Sequence, residues 1–285
     1  MTAPLIVQAG DDDVVYFAKR RCNDEHERAL WVYLAEDAPN GVWVAKDVET
    51  PVGIAIPHAT DDEWFLSELF VEPSFRNHGI ALELLSTAAG PAGDSTRSGV
   101  LDSAELGGLA FYAARSVPIA MPVLSVSGEI PREEALAKMA AGEYRFRTTP
   151  LDMLEHRQAL LALDRDVRGT GRLNDHDYFL RNAHGVAFYL QDEFVAYGYV
   201  WPSGRVGPIA TGSAVYGVQI LAFMLAALKH AYDASWCTML VPGVNVRILR
   251  AAMRANLKID GIQIFGTDGA TGDLSRYIGL HRLLF

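Results

Sequence analysis

Residues 63–85 read Glu63-Trp64-Phe65-Leu66-Ser67-Glu68-Leu69-Phe70-Val71-Glu72-Pro73-Ser74-Phe75-Arg76-Asn77-His78-Gly79-Ile80-Ala81-Leu82-Glu83-Leu84-Leu85. Trp64 to Val71 is aromatic and branched, which predicts a strand. Pro73 ends it, because proline cannot donate to a sheet ladder. Ile80, Leu84 and Leu85 recur at helical spacing. Between strand and helix lies Arg76-Asn77-His78-Gly79-Ile80-Ala81. A helix opening there presents unpaired backbone N–H groups at the positive end of its dipole, an arrangement that attracts anions. Gly79 lets the backbone approach a ligand closely, and the Arg76 guanidinium suits a phosphate. The stretch is built for a phosphate-bearing ligand.

Strands are predicted upstream at Leu5–Gln8, Gly41–Ala45 and Val52–Ile56, with mixed helical patterning over Val14–Leu34. Downstream, Gly99–Asp102 reads as a strand, Gly107–Arg115 as a helix and Val123–Val126 as a strand. This order gives an α/β chain with a mixed sheet. Pro131–Glu143 has proline near its start and acids in its first turn, so it reads as a connecting helix. Tyr144–Arg147 then alternates as a strand, followed by a helix over Leu151–Asp166. Strands follow at Gly185–Gln191, Phe194–Trp201 and Gly204–Ala210. A long apolar helix is expected over Val215–Tyr232, then a strand at Trp236–Val241. The next helix, Val246–Leu257, should show Val246, Leu249, Met253 and Leu257 on one face, and Gly261–Phe265 closes the series. The second half repeats the order of the first without repeating its sequence. Two tandem domains are therefore expected, residues 1–142 (with 131–142 as the connecting helix) and 143–285.

Among 285 residues, half are apolar, about a fifth are charged and the net charge is -10. That balance argues against a general nucleic-acid binder and is compatible with an amine substrate. Cys22 and Cys237 make neither a disulfide framework nor a metal knuckle, so free thiols in a reducing cytoplasm are expected. No apolar run is long enough to span a membrane and no signal peptide is visible. Asp175-His176-Asp177 reads as a helix start capped by Asn174 or Asp175 near Tyr178 rather than as metal ligands, and no metal is expected. Asp164-Arg165-Asp166-Val167-Arg168 reads as a solvated, salt-bridged helix end. Oligomeric state cannot be read.

The central stretch resembles motif A of the GNAT N-acetyltransferases, whose loop Arg/Gln-x-x-Gly-x-Gly/Ala binds the pyrophosphate of acetyl-CoA. Arg76, Gly79 and Ala81 match its fixed positions, and Leu69-Phe70-Val71-Glu72-Pro73 resembles the strand ending in Val-x-Pro. The resemblance implies two tandem GNAT-like domains, each with a mixed, mostly antiparallel sheet flanked by helices. It implies that Leu69, Phe70 and Val71 offer backbone groups to the pantetheine and thioester. It further implies that Arg76, Asn77, His78, Gly79, Ile80 and Ala81 hold the pyrophosphate. His78 either touches phosphate or faces water.

The implied reaction is direct acetyl transfer from acetyl-CoA to a primary amine of a small molecule. That chemistry needs a base for the amine and an acid for the departing thiolate. Glu68 is the candidate base, with Glu63 and Glu72 behind it; the alternative for Glu68 is a solvent-facing strand residue. Tyr112 is the candidate acid, or else a half-buried helix aromatic. The usual Gly-Phe after the tyrosine is replaced by Arg115-Ser116-Val117-Pro118, and Glu105 stands where an asparagine is expected. In the second half, setting Gly217 opposite Ala81 puts Val215 at the place of Gly79 and Gly212 at that of Arg76. Asn245 fits the family asparagine and Ala252 stands at the tyrosine position. The second domain thus lacks a standard CoA grip; its expected roles are to shape the acceptor pocket or hold the first domain's sheet edge, and a nonstandard CoA site there stays open. The competing expectation is a non-catalytic acyl-CoA-binding or scaffold protein.

Overall fold

A computed structural model describes residues 4–38, 40–60, 62–90, 95–114 and 117–285. The chain forms two compact units, Met1–Val100 and Leu101–Phe285. The division falls upstream of the join expected near residue 142. Its physical cause is a strand at Ile119–Glu129, which is hydrogen-bonded along its length to strands drawn from residues 236–267.

The first unit runs β1 (Leu5–Gln8), α1 (Asp11–Arg21), α2 (Glu25–Glu36), β2 (Trp43–Asp47), β3 (Thr50–Ala59), β4 (Glu63–Val71), α3 (Ile80–Ala89) and β5 (Thr96–Asp102). The strands lie in chain order, antiparallel from β1 to β4, with β5 parallel to β4. The helical stretch expected over Val14–Leu34 is two helices. It breaks at Asp24, whose carboxylate accepts the Glu27 amide at 2.7 Å, while Glu27 accepts the Asn23 amide at 2.8 Å. This reciprocal cap starts a new helix without needing glycine or proline. Ile80, Leu84 and Ala88 of α3 pack on Ala45, Val52, Ala55 and Val71. The spacing of four makes them one stripe, and that stripe fixes the direction in which α3 leaves β4.

The second unit runs α4 (Leu106–Ala113), β6 (Ile119–Glu129), α5 (Glu133–Ala140), β7 (Arg147–Pro150), α6 (Met153–Arg168), α7 (Leu173–Asn182), β8 (His184–Leu190) and β9 (Glu193–Val200). It continues with β10 (Val206–Thr211), α8 (Gly217–Tyr232), β11 (Trp236–Pro242), α9 (Val246–Arg254), β12 (Lys258–Thr267) and β13 (Tyr277–Ile278). Its strands form an antiparallel group β12-β6-β11 and a second antiparallel group β13-β10-β9-β8-β7. The core gathers Ile220, Leu221, Met224, Leu225 and Leu228 of α8 against Phe188, Ala196, Val206, Ile209 and Met239.

Four readings of the second half are corrected. The strand expected at Tyr144–Arg147 begins only at Arg147, because Tyr144 and Phe146 pack as an aromatic group on Tyr216. The α9 helix buries Ile248 and Ala252; of the expected stripe, Leu249 and Leu257 pack with the core while Val246 and Met253 are exposed. Asp175 and His176 do not precede a helix but sit inside α7, buried, with Arg172 at its N-cap. Asp164 is not solvated: it is buried on the face of α6 shared by His156, Leu160, Leu163 and Val167. The helix predicted over Gly107–Arg115 spans Leu106–Ala113; Arg115 and Ser116 lie outside the described residues. Cys22 and Cys237 are free and buried.

Candidate active site

The site is assembled on β4. Its antiparallel register with β3 shifts between Ile56↔Glu68 and Pro57↔Leu66, so Ser67 is an extra residue, a bulge. Its parallel register with β5 ends at Leu66↔Gly99. Past the bulge, Glu68 to Val71 is therefore tied to β3 on one edge and leaves β5 on the other. An edge of backbone N–H and C=O groups without a strand partner is a template for an extended ligand.

The side chains of this strand end alternate. Leu69 and Val71 pack with the α3 cluster. Phe70 turns to α1, with its ring 5.9 Å from Phe17 and the Arg21 guanidinium 4.4 Å above it. Glu68 is buried on the same side, 3.6 Å from Arg21. Glu63 is also buried and accepts the Ser98 hydroxyl. Glu72 lies 3.9 Å from Arg20 near the surface. The structure thus rejects the solvent-facing alternative for Glu68.

A single 3-10 turn, Pro73–Phe75, carries the chain from β4 to the loop. Arg76 donates from Nε to the Val71 carbonyl at 3.0 Å, which pins the loop to the strand end. Asn77 and Gly79 both have positive φ, 67° and 82°. Gly79 is the N-cap of α3, and its carbonyl accepts from Leu82 and Glu83. The left-handed turn is what suits glycine at this position. A Cβ placed on Gly79 would meet nothing within 4 Å, so the space over the helix start is empty. Arg76, Asn77, His78 and Gly79 are exposed. The His78 ring is 3.3 Å from the Phe75 carbonyl. Ile80 turns its side chain into the core, so its contribution to a ligand is confined to the backbone at the first turn of α3.

Tyr112 belongs to the second unit. It is buried on α4, edge-on to Phe111, and its carbonyl accepts from Val117. Among the described residues no group of three His, Cys, Asp or Glu side chains is arranged to hold a metal.

The counterpart in the second unit differs. The α8 helix starts at Gly217 with Tyr216 as N-cap, whereas α3 starts at Ile80 with Gly79 as N-cap. Aligned on the helix starts, Tyr216 stands at the position of Gly79 and Ser213 at that of Arg76. This shifts the expected correspondence by one residue and still supplies neither glycine nor arginine. Asn245 caps α9 by accepting from Ile248 and donates its amide to the Tyr277 carbonyl at 3.0 Å.

One part of the second unit escaped the sequence reading. Asp164, His176, Tyr197 and Tyr199 are wholly buried together. His176 joins Asp164 through Nε2 at 2.9 Å and Tyr199 through Nδ1 at 2.8 Å, and the Tyr197 hydroxyl donates to Asp164. Burial alone would raise the Asp164 pKa, but His176, Arg172 and Arg168 hold it below the usual carboxylate range. Burial first, then Asp164, pushes the Tyr197 and Tyr199 hydroxyls well above theirs. Asp164 follows Leu160 by four residues and His156 by eight, the spacing of one helix face, and that was the available signal.

Residues 12–112 match the family model described as the acetyltransferase (GNAT) family. A search of curated proteins gave no match. Among solved structures, an acetyltransferase described as putative, from Pyrococcus horikoshii, is 15% identical with a TM-score of 0.76, over 100% of this chain and 96% of that one. A tandem GNAT protein from the clavulanic acid biosynthesis pathway is 15% identical with a TM-score of 0.63, over 94% and 97%. A GCN5-related N-acetyltransferase from Sphaerobacter thermophilus is 9% identical with a TM-score of 0.62, over 99% and 98%. At these identities the likeness is one of fold. No helix among the described residues is long and apolar enough to cross a membrane.

Proposed function

We propose, from the match of residues 12–112 to the acetyltransferase (GNAT) family model, that the chain transfers an acetyl group from acetyl-CoA to a primary amine of a small molecule. One observation carries the reading. The end of β4, past its last pairing with β5 at Leu66↔Gly99, runs through a loop pinned by Arg76 into a helix N-terminus capped by Gly79, with open space at the Gly79 Cβ position. The edge of β4 would take the pantetheine as an extra strand. Arg76 and the first amides of α3 would hold the pyrophosphate. Tandem GNAT-like domains, 1–142 and 143–285, remain the organisation proposed for the chain, and its place of work is proposed to be the cytoplasm.

In the reaction, a base takes a proton from the acceptor ammonium and the neutral amine attacks the thioester carbonyl. The nitrogen of the tetrahedral intermediate, now positively charged, gives up its second proton, the oxyanion collapses, the C–S bond breaks, and the thiolate takes up a proton. Glu68 is the proposed base. Its contact with Arg21 holds the carboxylate against the strand end, where the thioester would lie. Tyr112 is the proposed donor to the thiolate.

Calorimetric titration with acetyl-CoA tests the cofactor site. The wild-type chain is expected to bind one equivalent, and Arg76→Ala to weaken binding about tenfold, the worth of one charge-assisted phosphate contact. Unchanged affinity in the variant would remove Arg76 from the site. On an amine substrate found by screening, Tyr112→Phe is expected to lower turnover while leaving acetyl-CoA affinity in place. Full turnover in that variant would end the acid assignment.

A further inference from the structure

We propose that residues 277–285 are the permanent occupant of the strand gap in the second unit, and that this unit therefore takes no acyl-CoA. The inference rests on reading the second unit as a second GNAT-like fold. There the chain order β10, α8, β11 repeats the order β4, α3, β5 of the first unit. The bulge repeats too: β10 shifts register against β9 between Val206 and Ile209, as β4 does at Ser67.

The gap itself is filled. Among the described residues the parallel pairing of this stretch with β11 is one bridge, Arg205↔Thr238 just before β10, with the Thr238 amide donating to Gly204 at 3.0 Å. Beyond it, β13 enters. Tyr277 and Ile278 pair with Ala210 and Ile209 on one side. On the other, the Gly279 amide donates to Leu240 at 2.7 Å and its carbonyl accepts from Leu240 at 3.4 Å. The segment thus runs antiparallel to both strands and uses the backbone edges that an extended ligand would need.

Its seating is tight and anchored. A Cβ on Gly207 would lie 2.5 Å from the Gly279 carbonyl oxygen, and Gly207 has a φ of +135°. Only a residue without a side chain lets the two backbones come this close. Tyr277, Ile278, Leu280, Leu283, Leu284 and Phe285 are all buried. Arg172 donates to the Tyr277 hydroxyl, Arg168 to the Phe285 carbonyl at 2.7 Å, and Asn245 to the Tyr277 carbonyl at 3.0 Å. Asn245, the residue that fits the family asparagine, therefore already spends its amide on this segment. Arg276, the cation beside the start of α8, is held by Asp166 at 2.7 Å and Asp273 at 2.9 Å. A pantetheine arm would have to displace a packed, twice-paired strand and then find a helix start with Tyr216 in place of glycine.

Hydrogen exchange read by mass spectrometry on the wild-type chain, with and without saturating acetyl-CoA, tests this beside the calorimetric stoichiometry. Peptides covering 277–285 are expected to exchange at least about a thousandfold more slowly than unstructured chain, as core strands do. Acetyl-CoA should not change that rate, and no more than one equivalent should bind. Little protection without ligand, a tenfold or greater acceleration with it, or a second bound equivalent would overturn the proposal. The Arg76→Ala chain separates this from the proposed function. Affinity weakened about tenfold or more with 277–285 still protected supports both readings. Affinity unchanged, with 277–285 deprotected by the ligand, would move the ligand to the second unit and sink the proposal. If the wild-type chain binds no acetyl-CoA, the proposed function fails, while protection of 277–285 still decides whether the segment is the occupant.

Discussion

An Asp164→Asn chain is expected to unfold with about 3–5 kcal/mol less free energy at pH 7 than the wild type, the cost of breaking a buried ion pair from one side. The carboxylate sits among His176, Tyr197 and Tyr199, all wholly buried, with Arg172 and Arg168 contributing charge. His176 meets Asp164 through Nε2 and the Tyr199 hydroxyl through Nδ1. An asparagine has the right shape but offers one acceptor oxygen where the carboxylate offers two. Either His176 or Tyr197 then faces an amide N–H, and a buried donor is left without an acceptor. Denaturant unfolding monitored by tryptophan fluorescence measures the loss. A change under 1 kcal/mol would show that the network is ornamental to stability.

The pH dependence follows from the same contacts. Folding lowers the Asp164 pKa, because its cationic neighbours outweigh its burial. Stability from this group is therefore complete above the unfolded value of about 3.9 and is lost as pH falls through the lower, folded value. The gap between wild type and Asp164→Asn should accordingly narrow at pH 3. A gap that stayed constant would mean that shape, not charge, holds the network.

The first unit was legible because its punctuation is local. Pro73, Gly79 and the Ile80–Leu84 spacing each act within a few residues of themselves, and β4, the loop and α3 stand where those residues put them. The fold class was legible for the same reason, since the order of strands and helices survives errors at their ends. What stayed hidden depends on distant partners. Asp164 looks like half of an exposed charge run until His176 of α7 and Tyr197 and Tyr199 of β9 surround it. The burial of Glu68 depends on Arg21 arriving from α1. The run Tyr277-Ile278-Gly279-Leu280 is too short to show a period, and its role is set by the gap it enters. The break between α1 and α2 was readable, since Asp24 and Glu27 have the spacing of a cap, but a search for glycine and proline passes over it.

Gly79→Val is expected to cost acetyl-CoA affinity about a hundredfold while costing the fold only about 1–2 kcal/mol, and the contrast between the two numbers is the test. The fold cost is the left-handed backbone. Gly79 sits at φ +82°, where an L-residue pays about 1–2 kcal/mol and a β-branched one is the least tolerated. Nothing else opposes the side chain, since a Cβ there meets no atom within 4 Å. The space it enters is the space a pyrophosphate must fill to reach the first amides of α3. Two methyl groups there would push a phosphate out of hydrogen-bond range of those amides. At about 1.4 kcal/mol per tenfold, losing two such contacts gives the hundredfold. Thermal unfolding and calorimetric titration on one preparation read both quantities. A large stability loss with binding intact would make Gly79 a turn residue and nothing more. Near-native stability with binding abolished would identify the empty space over the start of α3 as the seat of the phosphates.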